Sequence, residues 1–197
     1  MYEGILKMCD YLLESAKAYA DLISKKYHIK LGHRGKMTEL TITFPASGYH
    51  HLAGLHYLGI NALNNRKEAL YKILAGEVNI HHIAEEKYNL VESRLRSIIQ
   101  LKDIICNSRE VYRYKGFECV WSNIRADYAI EKDNGDGSTF VFLIGDNGVD
   151  LAPTSIFEAE AGKYTQYCPA RRILEITKED LDTGITVNVF TSPSYRH

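Results

Sequence analysis

The chain has 197 residues, 45% of them hydrophobic and 25% charged, with a formal net charge of −1. That length and apolar content suit one globular domain with a sizeable core, taken over residues 1–197. The near-neutral balance argues against a non-specific nucleic-acid coat, which is usually basic overall, and leaves room for a local basic cleft.

In chain order, residues 2–27 place Ile5, Cys9, Leu12, Leu13, Ala16, Ala20 and Ile23 at helical intervals, predicting a helix with one buried stripe. Residues 28–31 and 37–44 read as strands around a Gly32-His33-Arg34-Gly35 hairpin loop, since Leu40, Ile42 and Phe44 alternate with Thr41 and Thr43. Pro45 suits the first turn of the short helix that follows, where its missing N–H is tolerated. This helix carries Tyr49-His50-His51-Leu52-Ala53-Gly54-Leu55-His56-Tyr57-Leu58, with three of the eight histidines of the chain. At about 3.6 residues per turn, Leu52, Leu55 and Leu58 share an arc. His51 falls inside that arc, His56 just beyond its edge, and His50 nearly opposite. Residues 66–75 predict a second short helix ended by Gly76, and 81–106 a long one. The apolar arc of the long helix runs through Ala84, Tyr88, Val91, Leu95, Ile98, Ile99 and Ile105; Arg94 projects onto it and Arg96 away. From about residue 110, strand-like runs (111–115, 118–131, 138–144, 149–157, 171–177, 185–190) are separated by turns, with Asn-Gly in Asp133-Asn134-Gly135-Asp136-Gly137 and in Asp146-Asn147-Gly148. The expected fold is α+β: helices from an N-terminal half (about 1–108) packed on an antiparallel sheet from a β-rich C-terminal half (about 109–197).

Compartment and cofactor signals are sparse. Glu3, Lys7 and Asp10 interrupt any signal-peptide core, and no apolar run reaches transmembrane length. Cys9, Cys106, Cys119 and Cys168 are scattered, with no Cys-x-x-Cys pair, so a zinc ribbon or redox motif is not expected and a reducing cytoplasm is. Gly32-His33-Arg34-Gly35-Lys36 lacks the spacing of a phosphate-binding loop and a helix after it. Asp133 to Gly137 has glycines where a calcium loop needs oxygen ligands. His51 and His56 are five apart rather than the three or four that align two ligands on one helical face, so no metal site is expected, nor any other cofactor.

Two groups of side chains carry chemistry. Imidazole has its ordinary pKa nearest neutrality, so His51 and His56 are suited to exchanging protons; a hydrogen-bonded core histidine is the alternative for a ring on an apolar arc. The second group lies late in the chain, where Ser155, Tyr164, Thr165 and Gln166 bring hydroxyl and amide groups into a short span. Arg94, on a buried arc, requires a carboxylate, a carbonyl or a bound anion. Asp127 is a candidate ion-pair partner, and an anion site is the other reading.

The segment His51-Leu52-Ala53-Gly54-Leu55-His56-Tyr57-Leu58 resembles the HLxGLHKL signature of a phage-associated nuclease-like group in the barnase–EndoU–colicin–RelE (BECR) superfamily. Ser122-Asn123-Ile124-Arg125-Ala126-Asp127-Tyr128, Pro153-Thr154-Ser155-Ile156-Phe157 and Tyr164-Thr165-Gln166 are similar, in order, to further segments of that group, so the likeness spans roughly residues 10–178. Tyr57 stands where the group often has lysine, and Gln166 falls slightly early. The resemblance implies a BECR-like α+β fold and a nuclease of phage or mobile-element origin. On that reading the protein is a metal-independent endoribonuclease acting on a structured RNA, with tRNA as one candidate. His51 is then the general acid or base and His56 the second, and Arg94 neutralises the phosphate or orients a catalytic group. Ser155 and Thr165 hydrogen-bond phosphate oxygens, and Tyr164 stacks on a base or donates a proton. The competing reading is an inactive interaction protein that binds RNA or a host or immunity protein.

Overall fold

Asp10 opens the first helix by accepting the Leu13 N–H at 3.0 Å. The computed structural model describes residues 10–145 and 150–195; the expected helical residues Ile5 and Cys9 and the Asp146-Asn147-Gly148 turn lie outside the described residues. Helix α1 (Tyr11–Ile23) buries Leu12, Ala16, Tyr19 and Leu22 on one face. It ends before the predicted residue 27, because Lys25 onward is extended: Tyr27, Ile29 and Leu31 alternate into the core along β1 (Lys25–His33). Strand β2 (Lys36–Ile42) returns antiparallel from His33↔Lys36, so the turn is Arg34-Gly35, with φ of 50° and 75°. Two consecutive positive φ values are what a tight hairpin turn requires.

The remaining helices are α2 (Ala46–Leu52), α3 (Ala69–Leu74), α4 (Glu85–Asn89), α5 (Glu92–Ile99) and α6 (Leu101–Asn107). The continuous helix expected over 81–106 is therefore broken. Asn79 caps a single 3-10 turn over Ile80–His82, and Ile83 and Ala84 are extended before α4 begins. The buried side of α5 and α6 follows the predicted arc through Leu95, Ile98 and Ile105, whereas Ala84 is exposed.

Strands β3 (Glu110–Arg113), β4 (Tyr128–Asp133), β5 (Ser138–Ile144), β6 (Asp150–Ala159), β7 (Ala170–Asp180) and β8 (Thr186–Thr191) complete one sheet in the order β1-β2-β6-β5-β4-β3-β7-β8. An additional β1–β7 pairing closes the first seven into a ring, and β8 continues along the C-terminal half of β7. The sheet is thus mixed and barrel-like, not the purely antiparallel sheet expected. Seven strands in a closed ring cannot alternate direction all the way round; the parallel pair is β2–β6, at Thr41↔Asp150 and Ile42↔Leu151. The hairpin from the helical half is built into the sheet, between strands of the later half. The 118–131 strand is also corrected: only Tyr128 onward pairs, and residues 114–127 form a loop around a 3-10 turn at Gly116–Glu118.

Strand β5 is buried on both faces. Val141 and Leu143 join the main core with the helices, while Phe140 and Phe142 face a second cluster with Tyr114, Cys119 and Cys168. Buried hydroxyls dock α2 onto α1. The Tyr49 hydroxyl lies 2.9 Å from Ser15 Oγ and donates to the Leu12 carbonyl at 3.1 Å, and the Tyr19 hydroxyl donates to the Pro45 carbonyl at 2.9 Å. A Cβ on Gly48 would come within 2.7 Å of the Tyr19 oxygen, so only glycine allows this approach.

Candidate active site

Pro45 precedes α2 as its N-cap, one position earlier than expected, with φ −64° and ψ 137°. Tyr49, Leu52 and Ala53 are fully buried and fix which side of α2 meets the core. On that wheel His50 lies at the edge of the buried side and His51 opposite it. The structure shows this arrangement: His50 is buried and His51 is exposed, the reverse of the expectation. The expected arc assumed a helix continuing to Leu58. Instead Gly54 takes a left-handed conformation (φ 68°, ψ 29°) and a separate 3-10 turn runs over Leu55–Tyr57. The turn at Gly54 swings His56 back over α2. Its ring lies 6.0 Å from His51 at an interplanar angle of 14°, and 6.2 Å from His50. Five residues apart in sequence, His51 and His56 are neighbours in space.

His51 opens onto a cleft of about 470 Å³. Helix α5 contributes Arg94, half-buried, with its guanidinium carbon 5.8 Å from the centroid of the Tyr57 ring. The loop before β4 contributes Asn123, Ile124 and Arg125; the end of β5 adds Ile144, and β6 adds Thr154 and Ser155. The last two reach the same cleft because the β5–β6 ladder slips: Phe142 faces Ser155 but Leu143 faces Pro153, leaving Thr154 as an extra residue. Pro153 has no N–H to give the ladder, which suits it to such a bulge. Among the described residues, none that lines this cleft is acidic.

Among the described residues Arg94 forms no ion pair and no side-chain hydrogen bond. Asp127, the expected candidate partner, lies instead 3.5 Å from Arg113 Nη1 and accepts the Gly145 N–H at 3.1 Å. With no carboxylate partner among the described residues, the half-buried guanidinium keeps its donors free for an anion. The same positive field acts on the imidazoles. Although His51 is open to the cleft, partial desolvation of its ring by the cleft walls lowers its pKa, with further depression from His56, Arg94 and Arg66. His56 is lowered by burial and by the same two arginines. His50 is lowered by burial, Arg66 and His56, against a hydrogen bond to the Leu63 backbone. Each shift favours the neutral ring, the form that accepts a proton.

Tyr164 and Thr165 do not line this cleft. The Tyr164 ring packs edge-on against Phe140, Phe142 and Phe157, with centroids 5.3–5.5 Å apart. The buried Thr165 hydroxyl donates to Glu131, whose other oxygen accepts the Gly162 N–H at 2.7 Å. Both residues hold the turn between β6 and β7 onto the sheet. Sequence reasoning missed Arg125, Asn123, Thr154 and Tyr57 as cleft residues. The signal for the first two was hidden by reading 118–131 as a strand, and Thr154 needed the bulge. Two other clefts carry acidic residues that disfavour an anion. One of about 520 Å³ mixes Arg109 and Arg172 with Glu110 and Glu131. One of about 640 Å³ mixes Arg96 with Asp133, Asp136 and Glu158. A third cleft, at the β1–β2 tip, is as cationic, with Arg34, Lys36, Arg172 and His33 lining about 500 Å³; its one imidazole, His33, is tied to the Ala170 carbonyl at 3.2 Å, so it offers cations without the paired histidines.

The fold is thus an α+β barrel whose histidine-bearing cleft is lined, among the described residues, by cations and no acidic group. Residues 11–190 match the family described as phage-Barnase-EndoU-ColicinE5/D-RelE like nuclease4, and the chain belongs to it. No curated protein and no solved structure matches significantly. Among the described residues no helix is long and apolar enough to cross a membrane.

Proposed function

We propose that this protein is a metal-independent endoribonuclease with His51 as its general base. The observation that carries this reading is the convergence of His51, Arg94, Arg125 and Ser155 on one cleft from four separate parts of the chain. Neutral His51 takes the proton of a ribose 2′-hydroxyl, whose oxygen attacks the adjacent phosphorus. Arg94 and Arg125 neutralise the phosphorane that forms, and the Thr154 and Ser155 hydroxyls donate to its non-bridging oxygens. The 5′-oxygen leaves, taking a proton from solvent or from the imidazolium form of His56, whose ring lies 6.0 Å from that of His51. The products are a 2′,3′-cyclic phosphate and a 5′-hydroxyl. A cleft walled by cations attracts phosphate and repels a divalent metal, which favours chemistry done by side chains. The overall charge of −1 favours one structured RNA, such as a tRNA, over indiscriminate strand binding.

The test is incubation of the pure protein with total tRNA and rRNA in EDTA, with mapping of the cut ends. Discrete cuts bearing 2′,3′-cyclic phosphate, lost in His51→Ala, support the reading. No cuts at large enzyme excess turn it towards a family member that binds RNA or a host protein without cleaving it. A His51→Ala variant that folds and cleaves at the full rate removes His51 from the mechanism.

A further inference from the structure

The loop between β3 and β4 presents large apolar side chains to solvent. Phe117 is 73% exposed, Val120 87% and Trp121 53%. The exposure is built in. Tyr114 and Cys119 are buried in the second aromatic cluster, and Ile124 packs against it. These three inward pegs fix the loop and leave Phe117 and Trp121 on its outer side. Turn bonds from Cys119 N–H to the Gly116 carbonyl (3.1 Å) and from Ser122 N–H to the Cys119 carbonyl (2.8 Å) hold the backbone between them. The loop then runs straight into Asn123, Ile124 and Arg125, which line the histidine cleft. Only Ser122 separates Trp121 from Asn123, two chain steps that span at most about 7 Å. Cations accompany the rings: the Lys115 ammonium lies 5.9 Å from the Phe117 centroid, and Arg125 and Arg94 stand at the cleft.

Exposed aromatic rings beside cations, continuous with a phosphate cleft, match the chemistry of an unpaired nucleic-acid strand. Its bases have free π-faces and its backbone is anionic. A duplex offers neither free base faces nor the freedom to reach both the rings and the cleft. We propose that Phe117 and Trp121 form a stacking platform for unpaired bases flanking the phosphate held at His51, so that the substrate class is single-stranded or loop RNA. This inference rests on the ribonuclease reading for what the cleft holds, and it adds the residues that choose the strand.

Trp121 is the single tryptophan of the chain, so fluorescence excited in the tryptophan band, beyond tyrosine absorption, reports this site. The full-length protein is titrated with a 2′-O-methyl oligoribonucleotide, which lacks the attacking hydroxyl and stays intact, and separately with a perfect RNA duplex of equal length. The single strand is expected to quench Trp121 saturably and the duplex to leave it unchanged. Phe117→Ala, at an exposed position, should keep the fold by circular dichroism and weaken the single-strand affinity by about five- to a hundredfold, the usual loss for one stacked base. The inference is overturned if the single strand leaves Trp121 unperturbed, if duplex and single strand quench equally, or if Phe117→Ala binds as tightly as the parent. An unperturbed Trp121 is also the result expected if the patch serves a protein partner. Quenching without cleavage of unmodified RNA keeps the platform and rejects the nuclease; cleavage without quenching does the reverse.

Discussion

Substitution of Gly54 by alanine tests how the histidine segment is built. At φ 68° an L-residue costs about 1–2 kcal/mol, and the stiffer unfolded chain of alanine offsets about 0.4–1 kcal/mol of that, leaving a net loss of about 1 kcal/mol. For a chain of this size that is about 2–4 °C in Tm. Gly54 also carries a contact penalty: an added Cβ would lie 3.1 Å from Tyr57 Cδ2 and 3.2 Å from Arg94 Cδ. Both neighbours must give by a few tenths of an ångström, and both belong to the cleft. Gly59 provides the control, with φ 69° and nothing within 4 Å of the place an added methyl group would occupy. Gly59→Ala should therefore show the strain alone and retain activity. Gly54→Ala should melt lower than Gly59→Ala and lose on the order of tenfold or more in kcat/KM through the displaced Arg94. Thermal denaturation and RNA cleavage of the two variants, side by side, measure this. Equal melting points with full activity in both would refute the claim that Gly54 sets the position of Arg94 and His56.

The other predictions concern charge, protons and support. Arg94→Met should lower kcat/KM by about a hundredfold or more, read from initial cleavage rates, because the guanidinium proposed to neutralise the phosphate is lost. The acidic limb of the cleavage pH profile should lie below the usual histidine range, and His56→Asn should move it upward by removing one cause of the depressed His51 pKa. Stability follows the same sign. Since His50, His51 and His56 are all held below the ordinary 6.5, the unfolded chain binds protons that the folded chain refuses, and stability present above that pH is lost as it falls. Urea denaturation at about pH 7.5 and about pH 5.5 should show this, with a smaller difference in His50→Asn. Thr165→Val should cost about 1–3 kcal/mol in the same denaturation assay, from the lost bond to Glu131, while cleavage rates stay unchanged.

Local chemistry in the sequence determined a good deal of this molecule. Alternation of Leu40, Ile42 and Phe44 marked β2, the Gly32–Gly35 segment marked its hairpin, Gly76 ended α3, and the Asn134-Gly135 turn joined β4 to β5. These features are encoded within a few residues, where side-chain period and turn preference act directly. The residue types able to exchange protons or hold an anion, His51, His56, Arg94 and Ser155, were legible for the same reason. Tertiary structure alone decided the rest. Closure of the ring joins strands whose residues Lys25 and Asp180 are 155 positions apart, and no local pattern reports such a pairing. The break at Gly54 reversed the burial of His50 and His51, because Tyr49 and Leu52, packed on α1 and the sheet, outweighed the leucine periodicity beyond it. Arg94 was left without Asp127 because Arg113 on β3 reaches that carboxylate first. Periodicity says which side chains seek burial, whereas long-range packing chooses which of them meet, and the cleft exists only where those long-range choices converge.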